Sequence, residues 1–452
     1  MTAANDAAPQ ARLGRFFAVA LVAATMANGA AAFLKRIGAL EPQRYESYWQ
    51  IHCGDDGPVS RVWGLGRRCP TFAAGPLDPP RYRREQPHFS FVFEVRPSEI
   101  PLKVAKDLVL ILFVGVCLWR AGGTRGWRPA VDAWPLWAFG GLVIVFAGWG
   151  IVRGEGTRTL LGLRGMTFIA VGLLGTWITA ESRLHDVCRG LIVLLLLQLV
   201  LFPAELLWGM PMAGYASFLA LPSRLAGTLV KANGLGVLAA VVVGFSECFA
   251  PDRRWRTVAW LAGIISILLA GSATGCIVLL SLALFHILRA RAAWRTIALA
   301  ASAGALLLLA LPAIVGRPNL LDSITGPRGR LDLLRPALSS AKSVLLGRGF
   351  GSGTNVEQVL VSHGVPPGTR ELAAADSTPA LLLGEFGVTG VVLFYAGIAV
   401  AWRRDAEARP LLLALVLTSL TCNLPEAFPV NFLLGLGLAH GLTPRPAVGA
   451  ER

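Results

Sequence analysis

The run Leu191-Ile192-Val193-Leu194-Leu195-Leu196-Leu197-Gln198-Leu199-Val200-Leu201-Phe202 lies inside an apolar stretch, 189–207. As a helix, a stretch of that length crosses the hydrocarbon core of a bilayer. Similar stretches recur along a chain of 452 residues that is 54% hydrophobic and 15% charged. Soluble proteins carry roughly 25% charged residues. Barrel strands alternate apolar and polar residues instead of running continuously apolar, which argues against a transmembrane β-barrel. The expected fold is an all-α membrane protein with about twelve transmembrane helices. The spans are predicted near 16–34, 104–120, 134–152, 160–179, 189–207, 229–249, 257–271, 275–289, 296–315, 380–402, 410–423 and 430–442. No internal repeat is visible.

The formal charge of +15 would suggest nucleic acid in a soluble domain. In a polytopic chain its first reading is topological, because basic residues hold cytoplasmic loops inside. With the N-terminus inside, the short cytoplasmic loops carry Arg120/Arg125/Arg128, Arg183/Arg189, Arg253/Arg254/Arg256, Arg289/Arg291/Arg295 and Arg403/Arg404/Arg409. The first apolar run follows Arg12 and Arg15 and is long enough to remain as a helix rather than be cleaved. The layout predicted is a cytoplasmic N-terminus (1–15), helix 1 (16–34), a periplasmic cap loop (35–103), helices 2–9 (104–315), a large periplasmic loop (316–379), helices 10–12 (380–442) and a cytoplasmic C-terminus (443–452). Five cysteines lie in or beside spans and read as small apolar residues. Cys53 and Cys69 share the cap loop. There a disulfide is expected, stabilising by about 3 kcal/mol, with free thiols or a metal site as weaker readings.

The polar interruption from Arg317 to Thr378 is too long for a turn, and loops of about 60 residues carry function or are disordered. This one holds an arginine-spaced helical run around Arg330 and Arg335, and the glycine-rich turn Gly347-Arg348-Gly349-Phe350-Gly351-Ser352-Gly353. It also holds two titratable groups, His363 and Asp376, before the chain returns to lipid at Leu381-Leu382-Leu383-Gly384-Glu385-Phe386-Gly387. Arginines also gather in 35–103, and Arg153, Arg158 and Arg164 follow the third span, on the side where topology does not ask for them. They bind an anion, or they snorkel to lipid phosphates. The anion that fits is a lipid diphosphate. Arg224, with Lys231 and Asn233 one turn further in, aims several groups at one spot beside a helix N-terminus.

The segment Arg224-Leu225-Ala226-Gly227-Thr228-Leu229-Val230-Lys231-Ala232-Asn233-Gly234-Leu235-Gly236 resembles the R-x-x-G-T-F-x-x-P-N-x-x-G motif of the O-antigen ligase and O-antigen polymerase superfamily. Further resemblances follow in order. Gly271-Ser272-Ala273-Thr274-Gly275 is similar to S-R-x-G, and Arg330 to Leu338 to the arginine-bearing helix of the periplasmic loop. Leu346-Gly347-Arg348-Gly349-Phe350-Gly351 is similar to L-x-G-x-G-x-G, and Asp376 to Gly390 to H-N-x-x-L-x-x-x-x-E-x-G-x-x-G. The resemblance covers about residues 155–440. It implies a GT-C-type fold in a bacterial inner membrane. It also implies cofactor-free, metal-independent transfer of glycan from an undecaprenyl-diphosphate donor at the periplasmic face. Ala232, Ala273 and Asp376-Ser377 depart from the family's proline, arginine and His-Asn. The missing histidine counts against a lipid A-core ligase and favours a polymerase or a divergent branch, with an O-antigen ligase or a protein O-oligosaccharyltransferase as the runner-up within the same chemistry.

Charge develops on the departing diphosphate, so fixed cations stabilise the transition state. Arg224, Lys231, Arg330, Arg335 and Arg158 are the candidates, with Asn233, Glu385 and Glu426 in support. The acceptor hydroxyl needs a base. Asp376 fits, although Asp376-Ser377-Thr378-Pro379 equally reads as a helix cap. His363 is the rival base, in a loop tip that is equally an exposed turn. Glu385 reads as structural glue to Lys231 or an arginine, or as a substrate contact. The glycine-rich turn lacks the Lys-Ser/Thr ending of a nucleotide P-loop. Expected partners are the lipid-linked donor, the glycan acceptor, membrane lipids, and a chain-length regulator and flippase of the same pathway, with no nucleic acid. A multi-pass transporter or flippase should instead show paired broken helices and midplane charges. A non-catalytic assembly protein is the third class.

Overall fold

The computed structural model describes residues 14–27, 29–30, 100–123, 133–175, 181–208, 227–229, 232–289, 341–350 and 377–443. Every regular element among them is helical. In chain order these are α1 (Gly14–Ala27), α2 (Ile100–Gly123), α3 (Trp134–Val152), α4 (Gly156–Gly165), α5 (Thr167–Leu174), α6 (Glu181–Trp208) and α7 (Ala232–Phe249). They continue as α8 (Arg253–Ala270), α9 (Ala273–Arg289), α10 (Ala341–Leu346), α11 (Thr378–Arg404), α12 (Arg409–Ser419) and α13 (Val430–Leu442). Two 3-10 turns, Gly227–Leu229 and Leu424–Glu426, interrupt the connections.

Three helices are long and apolar enough to cross a membrane: Trp134–Val152, Leu184–Pro203 and Thr378–Arg404. Shorter apolar helices at Gly14–Ala27, Asn233–Phe249, Ala273–Arg289, Arg409–Ser419 and Val430–Leu442 fall at predicted spans. The bounds expected for 134–152 and 430–442 match the helices found. The single span expected at 160–179 is two helices instead, α4 and α5, which meet at Met166. The span expected near 296–315, the cap loop with Cys53 and Cys69, and most of the large loop lie outside the described residues.

α7 is the interior helix. Leu235, the run Val237-Leu238-Ala239-Ala240-Val241-Val242-Val243 and Phe245 are all fully buried. A helix apolar all round has no polar face to give to solvent, so it takes the centre of a bundle. α6, α8, α9 and α12 pack around it. Small residues permit the approach: a side chain at Gly263 would meet Val243, and one at Gly244 would meet Ala414. Without water to drive apolar association, such close backbone contacts are what hold transmembrane helices together. Outward-facing positions stay apolar as well, Ile144 being 72% and Val200 70% exposed. Those faces suit lipid.

One end of the bundle is cross-linked by charge pairs. There Arg256 and His286 both approach Glu247, at 3.8 and 2.8 Å. His440 Nε2 lies 3.1 Å from the buried Asp405 carboxylate and its ring stacks edge-on against Phe249. Arg404 Nη1 donates to the Leu442 carbonyl. Asp405 therefore fastens the end of α11 to α13, and Glu247 fastens α7 to α8 and α9. This is the Arg404 end; the opposite one is the Thr378 end. We predict that Asp405→Ala, which strips the half-buried His440 imidazole of its acceptor, lowers thermal stability in detergent by about 1–3 kcal/mol. An unchanged melting temperature would show the pair to be idle.

Candidate functional site

α11 begins at a cap. Ser377 has extended backbone, its hydroxyl accepts from the Ala380 N–H at 3.4 Å, and Pro379 occupies the first turn. The cap is thus Ser377, one residue on from Asp376. Thr378 turns its hydroxyl elsewhere: it donates to the Cys422 carbonyl at 2.9 Å and accepts from the Leu424 N–H at 3.0 Å. The Thr378 N–H donates to the same Cys422 carbonyl at 3.1 Å. One side chain thereby ties the start of α11 to the turn between α12 and α13.

Nine residues after Thr378 the helix breaks. Gly387 has φ 67° and ψ −166°, a conformation only glycine adopts readily. The break removes the normal partners of the preceding carbonyls, and another segment supplies replacements. The Arg348 N–H donates to Gly384 O at 2.7 Å, and the Gly349 N–H to Glu385 O at 3.1 Å. A Cβ on Gly347 would strike the Glu385 carbonyl, and one on Gly387 would strike Leu345 O. Two glycine backbones are clasped face to face. Phe386, buried at the break, packs edge-on against Phe139, Phe146 and Phe350 with centroids 5.7, 5.4 and 5.1 Å apart.

α4 lies across the clasp. Gly162 sits against Phe350 and Gly165 against Pro425. Arg158, half-buried, precedes them by four and seven positions and shares their helix face. The other arginines of this segment are structural. Arg164 Nε pairs with Asp107 Oδ1 of α2 at 2.6 Å, and the Arg153 guanidinium lies 4.8 Å over the Trp149 ring. Glu385 is fully buried beside the break, and Glu426 is half-buried in the Leu424–Glu426 turn. The structure thus gathers Arg158, Glu385 and Glu426 around one joint at the Thr378 end, together with Arg348, whose backbone makes the clasp.

Asn233 belongs to a second joint. Its Oδ1 accepts from Ser272 Oγ at 3.0 Å, and the same oxygen of Ser272 accepts from the Gly275 N–H at 3.2 Å. Gly236 leaves room for Ser272. Thr228, at the Gly227–Leu229 turn, is held by Gln198 of α6. The Gln198 Oε1 accepts from the Thr228 N–H at 2.7 Å, and its Nε2 donates to Thr228 Oγ1 at 2.9 Å. Sequence reasoning missed Gln198, although a lone amide within a leucine run was the available signal. Arg224, Lys231, Arg330, Arg335, His363 and Asp376 lie outside the described residues.

A cleft of about 460 Å³ lined by Asp252, Arg253, Arg256 and Trp260 opens at the Arg404 end, away from both joints. All its lining comes from one stretch of chain, 250–261, so it is a surface hollow and we place no site there. The chain matches no protein-family model and no curated protein.

The clasp makes a graded prediction. Gly387→Ala and Gly347→Ala meet both a strained φ and a facing carbonyl, whereas Gly349 has φ 98° but open space around its Cβ. Strain alone costs about 1–3 kcal/mol. In thermal unfolding, Gly349→Ala should therefore lose less than either of the others; equal losses would mean that the backbones do not touch.

Proposed function

We propose that the chain is an inner-membrane glycosyltransferase that polymerises undecaprenyl-diphosphate-linked oligosaccharide repeat units into a surface polysaccharide, an O-antigen or exopolysaccharide. The observation that carries this reading is the clasp. It joins the glycine-rich turn Gly347-Arg348-Gly349 to Gly384-Glu385, and α4, bearing Arg158, closes over it. Those segments are two of the stretches that resemble the family's motifs. Their union makes a rigid rim at the helix end where the charge pattern puts the non-cytoplasmic side.

In this reading the reaction is a displacement at the anomeric carbon. The acceptor hydroxyl attacks, its proton passes to Asp376 or His363, and the sugar–phosphate C–O bond breaks. The electron pair leaves with the diphosphate. Arg224, Lys231, Arg330, Arg335 and Arg158 hold that diphosphate and stabilise the charge it gains. No step requires a metal when guanidinium groups supply the positive charge. A ligase or a protein O-oligosaccharyltransferase would use the same residues and differ in acceptor.

One observation favours a second class. A helix broken at Gly387 beside the buried Glu385 is the kind of element that transporters use at a binding site. A flippase for the same lipid-linked glycan would carry it too.

Deleting the protein and inspecting the surface glycan separates these. Loss of long chains with single repeats still attached supports the polymerase. Full-length glycan stranded on undecaprenyl diphosphate indicates a ligase, and accumulation of lipid-linked single repeats on the cytoplasmic leaflet indicates a flippase. Unchanged glycan rejects all three. Arg158→Ala and Arg224→Ala should each lower turnover at least about tenfold, the loss of one charge-assisted contact, with normal protein levels. Wild-type turnover in both would remove the diphosphate clamp.

A further inference from the structure

We infer that Asn423, in the turn between α12 and α13, is a sugar-binding residue that recognises a hydroxyl or acetamido group of the glycan. This rests on the glycosyltransferase reading. Asn423 is only 6% exposed, and among the described residues neither its Nδ2 nor its Oδ1 has a hydrogen-bond partner. A buried carboxamide with both ends unmet is rare in a folded protein and expensive to keep. The Thr418 hydroxyl, fully buried and also without a partner, precedes it by little more than one helical turn. Nearby Asn431 shows how the same corner treats a structural amide: its Nδ2 reaches the Pro425 carbonyl at 3.4 Å and its Oδ1 accepts from the Phe432 N–H at 2.8 Å.

The backbone around Asn423 is not loose. Thr378 grips the residues on both sides of it, the Cys422 carbonyl and the Leu424 N–H, so the backbone that carries its amide is fixed at the Thr378 end. Pro425, two residues on, packs under Gly165 of α4, the helix that bears Arg158. A carboxamide donates and accepts at once, which complements a sugar hydroxyl or an acetamido group. It carries no charge, and its paired donor and acceptor match a sugar group better than the acceptor-only diphosphate. Preorganised but unsatisfied polar groups of this kind are what a binding site holds before its ligand arrives.

The test uses full-length protein in nanodiscs. The probe is a set of oligosaccharides released by mild acid from the producing cell's own surface glycan, with binding read by saturation-transfer NMR and stability by thermal unfolding. Asn423→Leu should weaken oligosaccharide binding about tenfold or more while the melting temperature holds or rises, because an unpaired buried amide is gone. The isosteric Asn423→Asp, which loses the donor, should also weaken binding and decides the matter if the leucine variant fails to fold. Wild-type affinity in Asn423→Asp overturns the inference and leaves the glycan reading intact. So does a lowered melting temperature with binding unchanged, which would mean that a structural water satisfies the amide. No oligosaccharide binding by the wild type overturns this inference and the glycan reading together.

Discussion

A buried peptide group that leaves its helix must find another partner, and at the buried Gly387 α11 leaves its helix. Everything around the Thr378 end follows from how that demand is met. The carbonyls of Gly384 and Glu385 take N–H groups from Arg348 and Gly349, so a segment distant in sequence becomes part of the helix wall. The contact is backbone on backbone, which is why Gly347 and Gly387 have no room for a Cβ. Phe386 and Phe350 then pack over the joint, and Gly162 lets α4 descend onto it. Glu385 is buried at that point by the same geometry.

The two ends of the bundle divide the work. At the Arg404 end, side-chain charge pairs Glu247 with His286 and Asp405 with His440, and cross-links neighbouring helices. At the Thr378 end, the Arg164–Asp107 pair is accompanied by hydroxyl and backbone hydrogen bonds, between Thr378 and both Cys422 and Leu424 and from Arg348 to Gly384. Charge pairs fix the first end by attraction, whereas the second is built mainly from groups that also suit recognition of polar ligands. Among Arg153, Arg158 and Arg164 the structure separates roles: Arg164 and Arg153 hold the scaffold, and Arg158 lies on the face that meets the joint.

Much of the helix plan was legible because apolar run length is a strong signal, as at 134–152 and 430–442. The division of 160–179 at Met166 was not, since the apolar pattern continues through it and only the backbone turns. The break at Gly387 was equally hidden. Glycine is common in membrane helices, and what opens the helix here is a partner segment that hydropathy cannot see. The cap at Ser377-Thr378-Pro379 was readable, yet the sequence did not distinguish Ser377 as the cap from Thr378 as a tie to another turn. Gln198 and Asn423 were passed over because each is one polar residue among apolar ones, and its meaning depends on whether a partner faces it.

The clasp also constrains how the protein is made. Arg348 waits for Gly384, which leaves the ribosome 36 residues later, a matter of seconds at ordinary rates of synthesis. Until α11 has been inserted, the Gly347–Gly349 segment has no carbonyls to meet, and α11 carries unmet carbonyls until that segment docks. The clasp therefore closes only after both its segments are made, and Thr378 ties α11 to the α12–α13 turn only once that turn is made as well. A truncation after α10 should leave a membrane-inserted but unfinished protein, the natural substrate of a quality-control protease.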